Sequence, residues 1–187
     1  MKIAGIDYSM SSPGICTHWG EKWSLENCRF FYLTKTKKLA DTFFGGMVEG
    51  KMSKEFKCSM DRYDFISDWA MSKVSFHDHA MIEGYAYAAT GRVFDIGENT
   101  GILKYKIWNA RIPLQVATPT QIKKFATGTG SATKEMMYGA WLEETDMDLM
   151  EEMTPRRTNV TSPISDVVDA YYICKYLFEK GGLKVDP

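Results

Sequence analysis

The first third of the chain consists of short apolar or alternating segments separated by turn residues. Residues 2–7 (KIAGID), 13–19 (PGICTHW) and 28–34 (CRFFYLT) are rich in β-branched and aromatic side chains. This pattern is typical of strands that are joined by tight turns. We therefore predict that the chain begins with three antiparallel strands.

The remainder alternates between helical and strand patterns. Apolar residues that recur about every 3.6 positions, or that follow a helix-starting residue, predict helices over residues 61–71, 94–108, 119–126, the part of 128–144 after its glycine loop, and the segment from Asp166, capped by Ser165, onward. Two further strands are predicted near residues 80–84 and 111–118, and residues 146–161 are predicted to be a loop. The predicted fold is an α/β domain with a mixed five-stranded sheet, three antiparallel strands and then parallel ones, flanked by helices.

Residues 36–57 interrupt this regularity. The segment lacks a clear period and is rich in Gly, Lys and Met, which predicts a flexible insertion. A length of 187 residues with 44% hydrophobic side chains suits one domain over residues 1–187. The sequence shows neither an apolar run of about 18 residues nor a leader with a cleavage site, so we expect a cytoplasmic protein without a membrane partner.

Charge and cysteine content narrow the function classes. The chain has 23 basic and 24 acidic side chains, which argues against a protein that holds nucleic acid by bulk charge. Basic residues nevertheless cluster at 35–38, 51–57, 123–134 and 156–157, each of which is also compatible with an ordinary solvated face. The four cysteines contain no C-x-x-C pair, so a zinc knuckle or a redox motif is not expected.

Four acids stand where elements begin or end. Asp7 and Glu83 close two predicted strands, and Asp166 and Asp169 are three residues apart in the first turns of the last helix. Grouped carboxylates favour a hard divalent cation such as Mg²⁺, and two such ions about 4 Å apart suit phosphodiester hydrolysis. Acids at strand ends also occur in nucleotide-binding and sugar-kinase folds, so spacing alone leaves these alternatives open.

Four ordered segments span nearly the whole chain: GIDYSMSSPGICT, IEGYAYAATGRV, QIKKFATGTGSATK and SDVVDAYYICKY. In their order and content they resemble the motifs of the RuvC-type Holliday-junction resolvases of the RNase H-like superfamily. The segment GIDYSMSSPGICT is similar to the opening "GIDPG" motif, although Tyr8 replaces its proline and Pro13 stands where threonine is usual. IEGYAYAATGRV is similar to the second acidic motif, and SDVVDAYYICKY to the C-terminal "DxxDA" helix. QIKKFATGTGSATK matches the family's lysine- and glycine-containing segment and is the most discriminating of the four.

This resemblance implies a crossover junction endodeoxyribonuclease. The acids Asp7, Glu83, Asp166 and Asp169 would hold two Mg²⁺ ions, for which Mn²⁺ would substitute, with Lys134 as a further catalytic residue. The DNA-contacting residues implied are Lys123, Lys124, Lys134, Gly128, Gly130 and, for unstacked bases, Tyr85 and Tyr87, with Phe94 a further candidate. The implied partners are a four-way DNA junction and a second copy of the chain, packed through the helix that contains Gly97 and Gly101.

Departures from the family pattern keep alternatives open. The segment at 36–57 and the near-neutral charge suit a viral member, which would act in the host cytoplasm, and a specificity broadened to flaps or other branched DNA. An RNase H-like nuclease acting on RNA/DNA hybrids is a second alternative. A non-catalytic module that binds DNA junctions is an alternative of a different class, and an actin-like nucleotide-binding domain would need a second glycine-rich phosphate loop that the sequence lacks.

Overall fold

The computed structural model describes residues 1–84 and 93–182. The strands are β1 (Lys2–Asp7), β2 (Gly14–Trp19), β3 (Cys28–Thr34), β4 (Thr42–Phe44), β5 (Val48–Met52), β6 (His79–Glu83) and β7 (Leu114–Ala117). The α-helices are α1 (Ser59–Val74), α2 (Val93–Asn109), α3 (Pro119–Thr127), α4 (Lys134–Thr145), α5 (Leu149–Met153) and α6 (Ile164–Lys180). Short 3-10 turns occupy Leu25–Asn27 and Lys37–Leu39.

The strands form one mixed sheet in the order β4-β5-β3-β2-β1-β6-β7. The neighbours β1, β2 and β3 are antiparallel, as predicted. Strands β6 and β7 then continue the sheet in parallel on the other side of β1. The predicted mixed α/β architecture is therefore confirmed.

The strand number differs from the prediction, because the described residues contain seven strands instead of five. Both additional strands lie within residues 36–57. Strand β5 pairs in parallel with β3, and the three-residue β4 pairs with β5. The three-residue β4 is too short to give a period, and β5 has a central glycine between two charged residues, so tertiary pairing decides their conformation. The extent of the single domain and the flexibility of this segment stay predictions.

The predicted helices are found with small shifts at their ends, and two details were wrong. The predicted loop at 146–161 contains the short helix α5, whose N-terminus is capped by Asp148 accepting a hydrogen bond from the Glu151 amide at 2.9 Å. Helix α6 begins at Ile164 instead of Asp166, and its N-cap position is Pro163. Ser165 is therefore inside the helix and does not cap it.

The sheet separates two apolar cores. One lies between the sheet and α6 with α3–α5, and is centred on Trp141, Tyr171 and Phe30. The other lies under α1 and α2. Helix α6 crosses β1 so closely that a Cβ added to Gly5 would lie 2.2 Å from the Cys174 amide nitrogen. Within the described residues, none of the helices combines the length and apolarity that a membrane span requires.

Candidate active site

Adjacent parallel strands bring Asp7 and Glu83 to the same edge of the sheet. Ile6 in β1 pairs with Ile82 in β6, and each acid is the next residue and the last of its strand. Neighbouring strands are about 4.8 Å apart. The two carboxylates thus leave the sheet side by side at the carboxyl ends of their strands, where ligand sites of α/β folds collect.

Helix α6 delivers the other two acids to this edge. The partner of Asp7 in β2 is Gly14, and a Cβ at Gly14 would lie 2.3 Å from the Asp166 carbonyl oxygen and 3.2 Å from its Cβ. Only a residue without a side chain allows this approach. The first turn of α6 therefore rests on the backbone next to Asp7, and Asp169 follows on the same face of the helix.

Hydroxyl groups position one oxygen of the Asp166 carboxylate. Ser162 Oγ and Ser165 Oγ donate to Asp166 Oδ1 at 3.0 Å and 3.2 Å, and Lys134 Nζ donates to Ser165 Oγ at 3.2 Å. The other oxygen, Oδ2, is buried and has no hydrogen-bond partner among the described residues. Buried polar atoms without partners are rare and costly. The unpartnered oxygen is therefore an available ligand atom.

The four acids share one electrostatic environment. Burial, followed by the charges of Asp169, Asp166 and Glu83, raises the pKa of Asp7 well above its usual range. Burial and the charge of Asp169 raise the pKa of Glu83 to about 7, and burial and the charge of Asp166 raise the pKa of Asp169 to about 6. Such crowding of negative charge is unfavourable until protons or cations neutralise it.

The four carboxylates suit a hard cation, although their oxygen atoms do not surround one common point. In residues 1–84 and 93–182, no three His, Cys, Asp or Glu side chains form a ready-made metal-binding group. Like charges favour side-chain rotamers that keep carboxylate oxygens apart. The fit to a metal therefore rests on the unpartnered Asp166 Oδ2 and on the oxygen-only donor set.

Two of the three predicted lysines lie close enough to influence these acids. The charge of Lys134, the first residue of α4, lowers the pKa of Asp7 and of Asp169. The charge of Lys123 in α3 lowers the pKa of Glu83 and of Asp169. Lys124 is exposed and contributes to none of these shifts. Lys123 and Lys134 thus partly offset the negative charge, and Lys124 does not.

The predicted glycines shape the turn between α3 and α4. Gly128 has a φ of 81°, in the left-handed region, and ends α3. A Cβ at Gly130 would lie 2.5 Å from the Thr120 methyl group. These constraints account for both glycines structurally, and their contact with a phosphate stays a prediction.

The aromatic predictions have different outcomes. Tyr85 and Tyr87 lie outside the described residues. Phe94, in the first turn of α2, is 85% exposed.

Sequence reasoning missed the role of Ser162 and Ser165 beside Asp166. The signal was present in "SPISD", where two hydroxyls lie within one helical turn before the acid.

The chain is similar to known proteins in its structure. No family model and no curated protein sequence matches the chain. A structure of Thermus thermophilus RuvC matches with a TM-score of 0.61 and 15% sequence identity, over 97% of both chains. The chain has a RuvC-like fold. A second structure, T. thermophilus RuvC in complex with a Holliday junction substrate, matches with a TM-score of 0.62 and 14% identity, over 97% of this chain and 96% of that one.

The similarity to RuvC extends over nearly the whole chain. Because both neighbours align over nearly their entire length, the similarity is not limited to a shared strand motif.

Proposed function

We propose that the protein is a metal-dependent, structure-selective endonuclease that resolves four-way DNA junctions by paired nicks, leaving 5′-phosphate and 3′-hydroxyl ends. The observation that carries the proposal is a group of four acids at one edge of a RuvC-like sheet, in which burial and neighbouring carboxylates raise the pKa of Asp7, Glu83 and Asp169. Such a group has no structural purpose in a stable core, since it destabilises the fold.

The divalent cations would be held by Asp7, Glu83, Asp166 and Asp169, with Mg²⁺ the expected ion and Mn²⁺ a substitute. When bound, they would supply Lewis-acid activation of water and stabilisation of the leaving oxygen. Ser162 and Ser165 hold Asp166 Oδ1, so that Oδ2 is the atom free to bind.

The lysines would act on the phosphate. Lys134 reaches the site through its hydrogen bond to Ser165, and Lys123 lies close enough to shift the pKa of two acids. Their positive charges favour a phosphodiester beside a cluster that would otherwise repel it. We propose that Lys134 stabilises charge on the reacting phosphate and that Lys123, Lys124, Gly128 and Gly130 contact the DNA backbone, with Tyr85 and Tyr87 against bases.

A homodimer would supply two active sites for a two-fold junction. Helix α2 offers a suitable face, because Phe94, Tyr105 and Trp108 are 85%, 63% and 72% exposed on it. Gly97 and Gly101 lie on the same face, and a Cβ at either would meet no described atom within 4 Å. Large exposed aromatics beside an open glycine groove are typical of a protein interface.

The test is a cleavage assay with four-way, flap, RNA/DNA hybrid and linear substrates, each with Mg²⁺, Mn²⁺ or a chelator. We expect metal-dependent paired nicks in the four-way junction. The Asp7→Asn variant should bind the junction and not cut it, because one carboxylate is lost from the site. The matched control is Asp78→Asn, an exposed acid that precedes β6 at the opposite end of the sheet.

Other results would identify the alternatives. Preferred cutting of flaps or hybrids would show a broader branched-DNA nuclease or an RNase H-like nuclease. Binding with no metal-dependent product would show a non-catalytic junction-binding module. Full cleavage by Asp7→Asn would contradict the assignment of the acids.

A further inference from the structure

Two basic clusters that are far apart in the sequence meet in one groove. The groove has a volume of about 410 Å³ and is lined by Thr36, Lys38, Leu39, Met153, Thr154, Pro155, Arg156 and Arg157. We call it the basic groove. One wall follows β3, within residues 36–57, and the other lies between α5 and α6. Neither wall belongs to the motifs that resemble the resolvase family.

The charged residues that line the basic groove are all positive. Lys38, Arg156 and Arg157 are all exposed, and no carboxylate is among the lining residues. None of the ion pairs formed within residues 1–84 and 93–182 involves any of these three cations. In a chain with a net charge of −1, three unpaired cations in one groove indicate an anionic ligand.

Both walls of the groove are anchored to the fold. Leu39 is buried, and its carbonyl oxygen accepts hydrogen bonds from Tyr32 Oη at 2.6 Å and Thr42 Oγ1 at 2.9 Å. On the opposite wall, Met153 is buried and Arg157 Nη1 donates to Thr161 Oγ1 at 2.9 Å. The cations are therefore presented by supported backbone, which lowers the entropy cost of binding.

The groove lies at the same edge of the sheet as the candidate acids. Asp7 pairs with Gly14, and Gly14 pairs with Tyr32 near the end of β3. Strands β1 and β3 are therefore about 10 Å apart, and this wall of the groove begins just beyond the end of β3. The second wall leads to the site as well, since Thr161 immediately precedes Ser162, which donates to Asp166.

We propose that the basic groove binds the sugar–phosphate backbone of a DNA arm that extends from the candidate active site. The inference rests on the proposed function for the position of the scissile strand. Lys38, Arg156 and Arg157 contact phosphates and carry no sequence information. A cationic groove beside the site explains how a protein of near-neutral net charge holds DNA.

The experiment measures DNA affinity against salt concentration, with a four-way junction and a plain duplex, in the Asp7→Asn background. The groove variant combines Lys38→Gln, Arg156→Gln and Arg157→Gln. The control combines Lys22→Gln, Arg29→Gln and Lys180→Gln, which removes the same charge from exposed residues near the opposite end of the sheet. The slope of log K against log salt is negative, and each lost phosphate contact makes it less steep by roughly 0.9. The slope of the groove variant should therefore be less steep than that of the wild type by roughly 3, and the slope of the control should change much less.

A single substitution distinguishes a lost DNA contact from misfolding of the triple variant, and the cleavage assay tests the proposed nuclease function separately. Lys38→Gln alone alters an exposed side chain and should make the slope less steep by roughly 1, even if the triple variant proves unstable. Unchanged slopes in Lys38→Gln and in a folded triple variant would overturn the groove, while cleavage by the wild-type protein would leave the proposed function intact. Less steep slopes in a protein that never cuts DNA would support the groove and overturn the nuclease.

Discussion

At the scale of single residues, the candidate site is defined by acids whose surroundings oppose their charge. Asp7, Glu83 and Asp169 have raised pKa values because they are buried near one another. Asp61 shows the opposite case, since Lys54 Nζ and the Lys57 amide donate to it at 2.6 Å and 3.0 Å and lower its pKa. The direction of the pKa shift thus distinguishes an acid whose charge stabilises this fold, such as Asp61, from acids whose charge destabilises it.

We predict that Asp7→Asn stabilises the metal-free protein by roughly 0.5–2 kcal/mol at neutral pH. The unfolded chain releases the Asp7 proton near its ordinary pKa of 3.8, whereas burial and the neighbouring carboxylates raise the pKa of Asp7 in the folded state. Rising pH therefore lowers the stability of the wild type more than that of the variant, which keeps only the raised pKa values of Glu83 and Asp169. The advantage of Asn should be absent below pH ~4 and grow as the pH rises toward the folded-state pKa.

Urea unfolding with a chelator, across this pH range, measures the effect. Asp61→Asn is the control and should destabilise slightly, because it removes a charged acceptor. Equal destabilisation by both substitutions would contradict the mutual repulsion of the acids.

At the scale of elements, the site depends on how closely α6 approaches the sheet. Gly5 and Gly14 allow the helix to lie directly on the β1 and β2 backbones. This contact places Asp166 beside Asp7 and fills the core with Tyr171, Tyr172 and Cys174. Because Gly5 and Gly14 have no side chains, α6 can approach the sheet closely enough to place Asp166 in the site.

We predict that Gly14→Ala destabilises the protein by roughly 1–3 kcal/mol and lowers cleavage. Its methyl group would lie 2.3 Å from the Asp166 carbonyl oxygen, so the first turn of α6 must shift. Thermal unfolding and cleavage rates measure both effects. Gly139→Ala is the control, because Gly139 lies in α4 with nothing within 4 Å of its Cβ, and it should stabilise by about 0.5–1 kcal/mol. Wild-type activity in Gly14→Ala would show that the approach of α6 does not position Asp166.

At the scale of the whole molecule, the fold exposes one aromatic helix face and keeps the opposite face in the core. Leu103 and Ile107 of α2 are buried, whereas Tyr105 and Trp108 are exposed with ring centroids 6.0 Å apart. Such a face is costly to leave in water, which is the reason to expect a second copy of the chain there.

We predict that Trp108→Glu converts a dimer to a monomer, measured by analytical ultracentrifugation, and abolishes paired nicking while single nicks persist. Burying a charge at the centre of an apolar interface without a partner is strongly unfavourable. Phe76→Glu is the matched control, since Phe76 is 80% exposed and lies outside α2. A wild-type protein that sediments as a monomer at assay concentrations would contradict the dimer.

The elements with a strong period were predictable from the sequence, and those that depend on partners were not. Helices α1 and α2 follow from their apolar spacing, since one face of each is buried, and strand β1 follows from its short apolar run, which is buried on both faces. Strands β4 and β5 were not predicted because pairing decides their conformation, with β5 adding to β3 and β4 adding to β5. Helix α6 was placed two residues late because Ser165 resembled a cap, although its hydroxyl binds Asp166 instead.

The sequence by itself determined which side chains are candidates for chemistry, because acids at strand ends and lysines around a glycine turn are visible in the order of residues. Only the tertiary structure decided which of them act together. It grouped four acids, set Lys123 and Lys134 beside them and not Lys124, and joined residues 38 and 156–157 in one groove. The physical reason is that electrostatic coupling depends on distance and burial, which sheet register and the close approach of α6 establish between residues far apart in the chain.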